Sequence, residues 1–376
     1  MPDQPVDRAE DEAAGRRGAS RRRAGRWALA ALIALAAWGA WGWRPGWPAR
    51  AVLRTPGDTW PLAFAPDGRT FATSSPAGVT TWDVATGDRR ATWDALRGRA
   101  PVAGLFAPDG RTFAAAVDGH PNTIAIALVD AATGRVRHVL PTGHTGIYAL
   151  AFADEGRTLR AVLGDVPHAR TVASWDVASG AATASSPVTC PTAGAATAVS
   201  PDTRLLAVVP FGAGTFRVWD LDAGAELGPF VDATTTVPLA GGLGFAADGR
   251  TLAAGREDGS IELWDIPTAR VVRRFPGHSP GFKASWIRIA PDGRSLASHG
   301  EYGQPPTTLA ALRDVWNQAL GRRPAPEVIV LDLESGRVRA RATGAIHPIL
   351  APDGATVATR EADFSVRLRP NPVGPR

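Results

Sequence analysis

Two hydrophobic patterns divide the chain. Through most of its length, short apolar runs are separated by polar turns. Several runs alternate residue by residue, as in Ser260-Ile261-Glu262-Leu263-Trp264 and Thr215-Phe216-Arg217-Val218-Trp219. Period two predicts half-buried strands. The other pattern lies at the start. Trp27 to Trp43 reads WALAALIALAAWGAWGW, 17 residues without a charge. As a helix it would be about 26 Å long, close to the ~30 Å of a hydrocarbon core. Trp27 stands at one end, and Trp38, Trp41, Trp43 and Trp47 stand at the other. Indoles favour the headgroup level, so a transmembrane helix over 27–43 is expected.

The strand-rich part repeats itself. Ala65-Pro66-Asp67-Gly68-Arg69-Thr70 returns as Ala107-Pro108-Asp109-Gly110-Arg111-Thr112 and as Ala290-Pro291-Asp292-Gly293-Arg294-Ser295. Looser copies occupy 153–158, 200–204, 247–251 and 351–356. The glycine-equivalent positions are 68, 110, 156, 203, 249, 293 and 354, spaced by 42, 46, 47, 46, 44 and 61 residues. Pro presets φ and Gly supplies a positive φ, so each copy predicts a hairpin turn. A second signal trails each turn: Trp82-Asp83, Val129-Asp130, Trp175-Asp176, Trp219-Asp220, Trp264-Asp265, Leu331-Asp332 and Leu368-Arg369. A further turn and strand follow, so each unit predicts four short strands.

Seven such units over 49–370 resemble WD40 repeats. Gly143-His144 and Gly277-His278 resemble that family's repeat start, and Gly57-Asp58 stands in the same place in the first unit. The resemblance implies an all-β, seven-bladed β-propeller whose Asp, His, Ser/Thr and Trp residues brace the blades without catalysing anything. Propellers of the TolB type also carry Pro-Asp-Gly repeats; the recurring Trp-Asp favours WD40. The last unit lacks a fourth strand, and Arg50-Ala51-Val52-Leu53-Arg54 precedes the first. The orphan strand is expected to complete the seventh blade, leaving no long open edge.

Charge adds an orientation. The chain has 376 residues, 41 basic and 36 acidic, for a net charge of +5. Arg16, Arg17, Arg21, Arg22, Arg23 and Arg26 precede the apolar run, whereas Arg44, Arg50 and Arg54 follow it. The positive-inside bias keeps the N-terminus cytoplasmic and the propeller extracytoplasmic. Residues 1–26 read as a disordered segment with a basic run, 44–48 as a linker and 371–376 as a tail. Ala49-Arg50-Ala51 leaves a second route open, export after signal cleavage. Beyond residue 48 the charge is nearly balanced, with 33 basic and 31 acidic residues, which removes most of the case for nucleic acid. Arg69, Arg111, Arg157, Arg204, Arg250 and Arg294 recur beside turn acids.

The sixth unit is stretched by an insertion over 301–326. Thr307-Thr308 can cap a helix. Leu309, Leu312, Val315, Trp316 and Leu320 then fall on one face. That stripe is either a partner-binding helix or a helix folded onto the propeller rim.

Catalytic motifs are scarce. The sequence contains no His-Glu-x-x-His, Walker or Gly-x-Ser-x-Gly pattern. Its seven histidines lack metal-ligand spacing. Gly242-Leu243-Gly244 leads into a hairpin and no helix, unlike a dinucleotide loop. Cys190 reads as a small loop or buried residue, and Asp118, Asp258 and Asp363 as turn or network residues. The expectation is a non-catalytic scaffold with protein partners, a membrane contact through 27–43, no cofactor, no metal and no nucleic acid. The alternative is an extracytoplasmic hydrolase with a loop-built central site, for which several His, Asp or Glu must converge at the channel mouth.

Overall fold

The computed structural model describes residues 47–374 apart from 55–56, 100, 120–121, 166–168, 189–193, 211–213, 233 and 304–323. The expected disordered segment and transmembrane helix therefore lie outside the described residues. So do Cys190 and the stripe Leu309, Leu312, Val315, Trp316 and Leu320. Among the described residues, no helix is long and apolar enough to cross a membrane.

The described strands form seven antiparallel sheets of four strands each. Blade 1 comprises Trp60–Phe64, Thr70–Ser75, Gly78–Asp83 and Arg89–Trp93. The first strand of every blade touches the first strands of both neighbours, and Trp60–Phe64 touches Ala345–Leu350 of blade 7. The first strands are thus a closed inner ring. Blades pack face to face. Between blades 1 and 2, Val79, Trp93 and Leu96 meet Phe106, Phe113 and Val129. The Trp93 and Phe113 rings are edge-on at 5.2 Å. Each such buried side chain stabilises the ring by about 1.5–3 kcal/mol.

The repeated motifs have local reasons. In blade 1 the Trp82 indole donates to Thr73 Oγ1 at 2.8 Å, tying the third strand to the second. Asp83 Oδ1 accepts the N–H groups of Ala85 and Thr86 at 2.9 and 3.0 Å, so the acid of Trp-Asp closes the next turn. Gly68 sits at φ +66°, and a Cβ there would lie 2.9 Å from Asp353 Oδ2 of blade 7. Gly354 stands likewise against Asp292 of blade 6. The Pro-Asp-Gly turns therefore interlock around one end of the ring. In blade 4 Thr203 takes the glycine's place at φ 60°.

Ala51–Leu53 pairs with the last strand, Val366–Pro370, in the register Leu53↔Val366. Trp47 adds a bond from its indole to the carbonyl of Pro370 at 2.9 Å. Blade 7 corrects the alignment of its ending. Arg369 pairs with Val357, as Trp82 pairs with Phe71. Arg369, and not Leu368, thus occupies the tryptophan position, and Pro370 stands where the other units have Asp. Its guanidinium substitutes for the indole, donating to Thr359 Oγ1 at 3.2 Å and to Glu361 at 2.9 Å.

The insertion begins later than expected. Lys283↔Glu301 and Phe282↔Tyr302 extend the sheet of blade 6, so its second strand runs Ser295–Tyr302 and its third begins at Glu327. Cross-strand pairing outweighs the polar look of Glu301.

Candidate functional site

The seven inner strands enclose a channel of about 630 Å³. Much of its lining is small or aliphatic, with Tyr148 of blade 3 and Phe245 of blade 5 among the exceptions, and a non-repeating group occupies one mouth. Blade 6 contributes Trp286 and Arg288 from Phe282–Ile289. A bulge between Ala284 and Trp286 shifts the phase of this strand, so that both side chains face the channel while Ile287 is buried. Blade 7 contributes His347, from a bulge between Ile346 and Ile349, at φ 49°. A histidine held at positive φ is uncommon outside turns and functional sites. Blade 1 contributes Trp60, the first residue of its inner strand.

His347 lies between the two indoles, 5.4 Å from the Trp60 ring and 5.4 Å from the Trp286 ring. The His299 ring is 5.9 Å away. Arg288 stacks on Trp286 at 4.5 Å. Arg360 stacks on Trp60 at 3.8 Å and on Phe364 at 4.9 Å, its Nε donating to the carbonyl of Thr59 at 3.0 Å. Trp60, Trp286 and Phe364 remain 41%, 37% and 49% exposed. Aromatic rings that keep this much surface while braced by cations form a ready contact surface.

Burial lowers the His347 pKa, and the charges of Arg360 and Arg288 lower it further, against a smaller opposing pull from the Glu301 carboxylate. Burial lowers His299 to about 4. Both histidines are therefore neutral at pH 7. Among the described residues, neither ring hydrogen-bonds a carboxylate, and the buried His299 Nε2 has no partner. No group of three or more His, Cys, Asp or Glu is placed to hold a metal among the described residues.

The root of the insertion lies on the same face. Tyr302 and Gly303 leave blade 6 beside Phe282, and the chain returns at Glu327. That return is pinned. His278 bonds Glu327 through Nδ1 at 3.0 Å and Ser298 through Nε2 at 2.8 Å. Arg341 also pairs with Glu327. Burial opposes the charge on Glu327, but His278 and Arg341 still lower it to about 2. Here His278 braces its blade as the family resemblance implies. Asp258 and Asp363 close turns by accepting from Ser260 and Ser365. His144 pairs with Asp165 at 3.0 Å, away from the channel lining. Sequence reasoning passed over Trp60, Trp286, Arg288, His347 and Arg360. The available signal was that a charged Arg288 stands where the other units carry only Ala, Gly, Leu or Ile, and Trp286 and His347 where they carry Ala, Gly or Pro.

Residues 239–265 match the family model described as WD domain, G-beta repeat. They form the first three strands of blade 5, ending in Trp264-Asp265. The chain is also similar to Protein groucho of Drosophila melanogaster, at 35% identity over 102 residues. That stretch covers 27% of this chain and 13% of the groucho protein, so the chain spans only a small part of that relative. Fold and repeat together define the class: a seven-bladed β-propeller, with the WD-type repeat matched in its fifth blade.

Proposed function

We propose that this protein is a membrane-tethered, non-catalytic scaffold that docks a protein partner on the channel mouth. The tether is the apolar run 27–43, with the N-terminus cytoplasmic and the propeller extracytoplasmic. The arginines ahead of that run support this orientation. The observation that carries the docking role is the mouth itself, where exposed Trp60 and Trp286 flank His347 with no carboxylate bonded to either histidine among the described residues. The insertion leaves blade 6 at Gly303, beside Gly281 at the start of the inner strand, and its sequence stripe Leu309 to Leu320 is proposed as a second contact for the partner.

Two measurements test the reading. A reporter active only outside the cytoplasm, fused at the C-terminus, should be active; an active cytoplasmic reporter there would invert the topology. Cross-linking of the tagged full chain in membranes should yield a defined partner. Trp60→Ala/Trp286→Ala should lose that partner while the propeller stays cooperatively folded, with only a modest drop in its unfolding midpoint. Undiminished capture by the double variant would remove the mouth from the interface.

A further inference from the structure

The channel waist is apolar in six blades and cationic in one. Five residues before each turn glycine (Thr203 in blade 4), the inner strands carry Ala63, Leu105, Ala151, Ala198, Gly244 and Ile349, and in blade 6 Arg288. The described lining includes no Asp or Glu, so Arg288 is its one full charge. The guanidinium is open to channel water yet walled by the ring. Its one hydrogen bond to protein among the described residues is to the neighbouring carbonyl of Ile287, at 3.1 Å. A guanidinium has five N–H donors in a planar fork, so most remain unused here. Among the described residues no acid pairs with this charge, and burial within the ring lowers Arg288 to about 10, which leaves it protonated at neutral pH.

The arginines elsewhere set the contrast. Arg250 pairs with Asp265 at 2.5 Å, Arg90 with Asp83 at 2.6 Å and Arg369 with Glu361 at 2.9 Å. A cation in a water-filled channel with no described acid beside it is free to take a counter-charge from a ligand. Trp286 holds the fork from one side, so it is pre-organised for a planar, two-oxygen partner. Arg360 adds positive charge at the rim, where its partner among the described acids is Asp58 at 3.8 Å.

We infer that Arg288 receives a peptide carboxylate, either an acidic side chain or a C-terminal carboxylate, while Trp60 and Trp286 hold an apolar residue beside it. This rests on the docking role proposed above and specifies what is docked. An extended peptide suits the place: the waist is lined by small and aliphatic groups, and the rim is aromatic.

The test uses the full chain in detergent and a soluble pool of dye-labelled decapeptides, half with free and half with amidated C-termini. Retained peptides should be enriched in Asp, Glu or free C-termini next to an apolar residue. Arg288→Gln should weaken their binding about tenfold or more, with Arg288→Lys intermediate. Arg111→Gln, an exposed arginine on the opposite face, should change nothing. Excess inorganic phosphate should displace the peptides. Unchanged unfolding midpoints in the Arg288 variants would exclude a folding defect. Retention of peptides without acid enrichment, or unchanged binding by Arg288→Gln, overturns the carboxylate assignment and leaves the scaffold reading standing. Retention of no peptide overturns the assignment too. The scaffold reading then falls as well if cross-linking in membranes also yields no partner.

Discussion

On the turn face, Asp67, Asp109, Asp202, Asp248 and Asp292 each accept the N–H of the arginine two residues on, blade after blade. At the opposite mouth, Trp60, Trp286, Arg288 and His347 come from three blades and are not repeated in the others. The turn face meets a need that every blade shares, closing a hairpin against its neighbour. The mouth meets a need that no single blade has. Repetition thus marks what holds the ring together, and departure from repetition marks what the ring presents.

Four perturbations probe this division. The largest effect is expected from acid at the mouth. The His299 pKa is lowered from 6.5 to about 4, so the unfolded chain binds the proton first as pH falls. Stability from this group is complete above pH ~6.5 and is lost as pH falls toward about 4, amounting to about 3 kcal/mol. His278 and His347, also lowered, act in the same direction. Denaturant melts between pH 7 and pH 5 should show this slope, and His299→Phe should flatten it; an unaltered slope would deny His299 its buried neutral state. Next comes Gly68→Val on the turn face. It forces a branched residue to φ +66° against Asp353 and should cost about 2 kcal/mol without altering partner capture. A loss of capture at constant stability would show that the turn face binds.

Trp286→Ala reverses the pattern. Its half-exposed ring should contribute only about 1 kcal/mol to stability, while capture of the partner falls sharply. Smallest is Arg250→Gln. Its pairing holds the Asp265 carboxyl near 2, while the arginine itself is largely in solvent. Unfolding should shift least of the four, and a shift as large as that of Gly68→Val would mean that the surface pairs of the turn face act as a network.

The blades were legible because each turn carries its own instruction. Pro66-Asp67-Gly68 closes a hairpin by local geometry, and Trp82 reaches Thr73 within one sheet. The mouth was not legible, because its parts are remote in sequence. Trp60 and His347 meet only after the ring closes, and the bulge that carries His347, between Ile346 and Ile349, has counterparts in five other inner strands, so it singles out nothing in the sequence. Arg369 was misaligned for a related reason. A guanidinium doing an indole's work leaves no Trp-Asp spelling, and only its pairing with Val357 reveals the position. His278 was read correctly as a blade residue because its Gly-His spelling is local, but its partner Glu327 lies 49 residues on, beyond the insertion.

The seam of blade 7 has a mechanical consequence. The ring is closed by Ala51–Leu53, three residues in register with Val366–Leu368 and locked by the Trp47 indole and Arg369. A pull on the chain ahead of Trp47 therefore reaches the propeller first through its clasp. The load falls on Trp47 and a few rungs before it can spread to the other blades. The ring would yield at one joint and not by general unravelling, with blade 7 reduced to three strands while blades 1 to 6 keep all four of theirs.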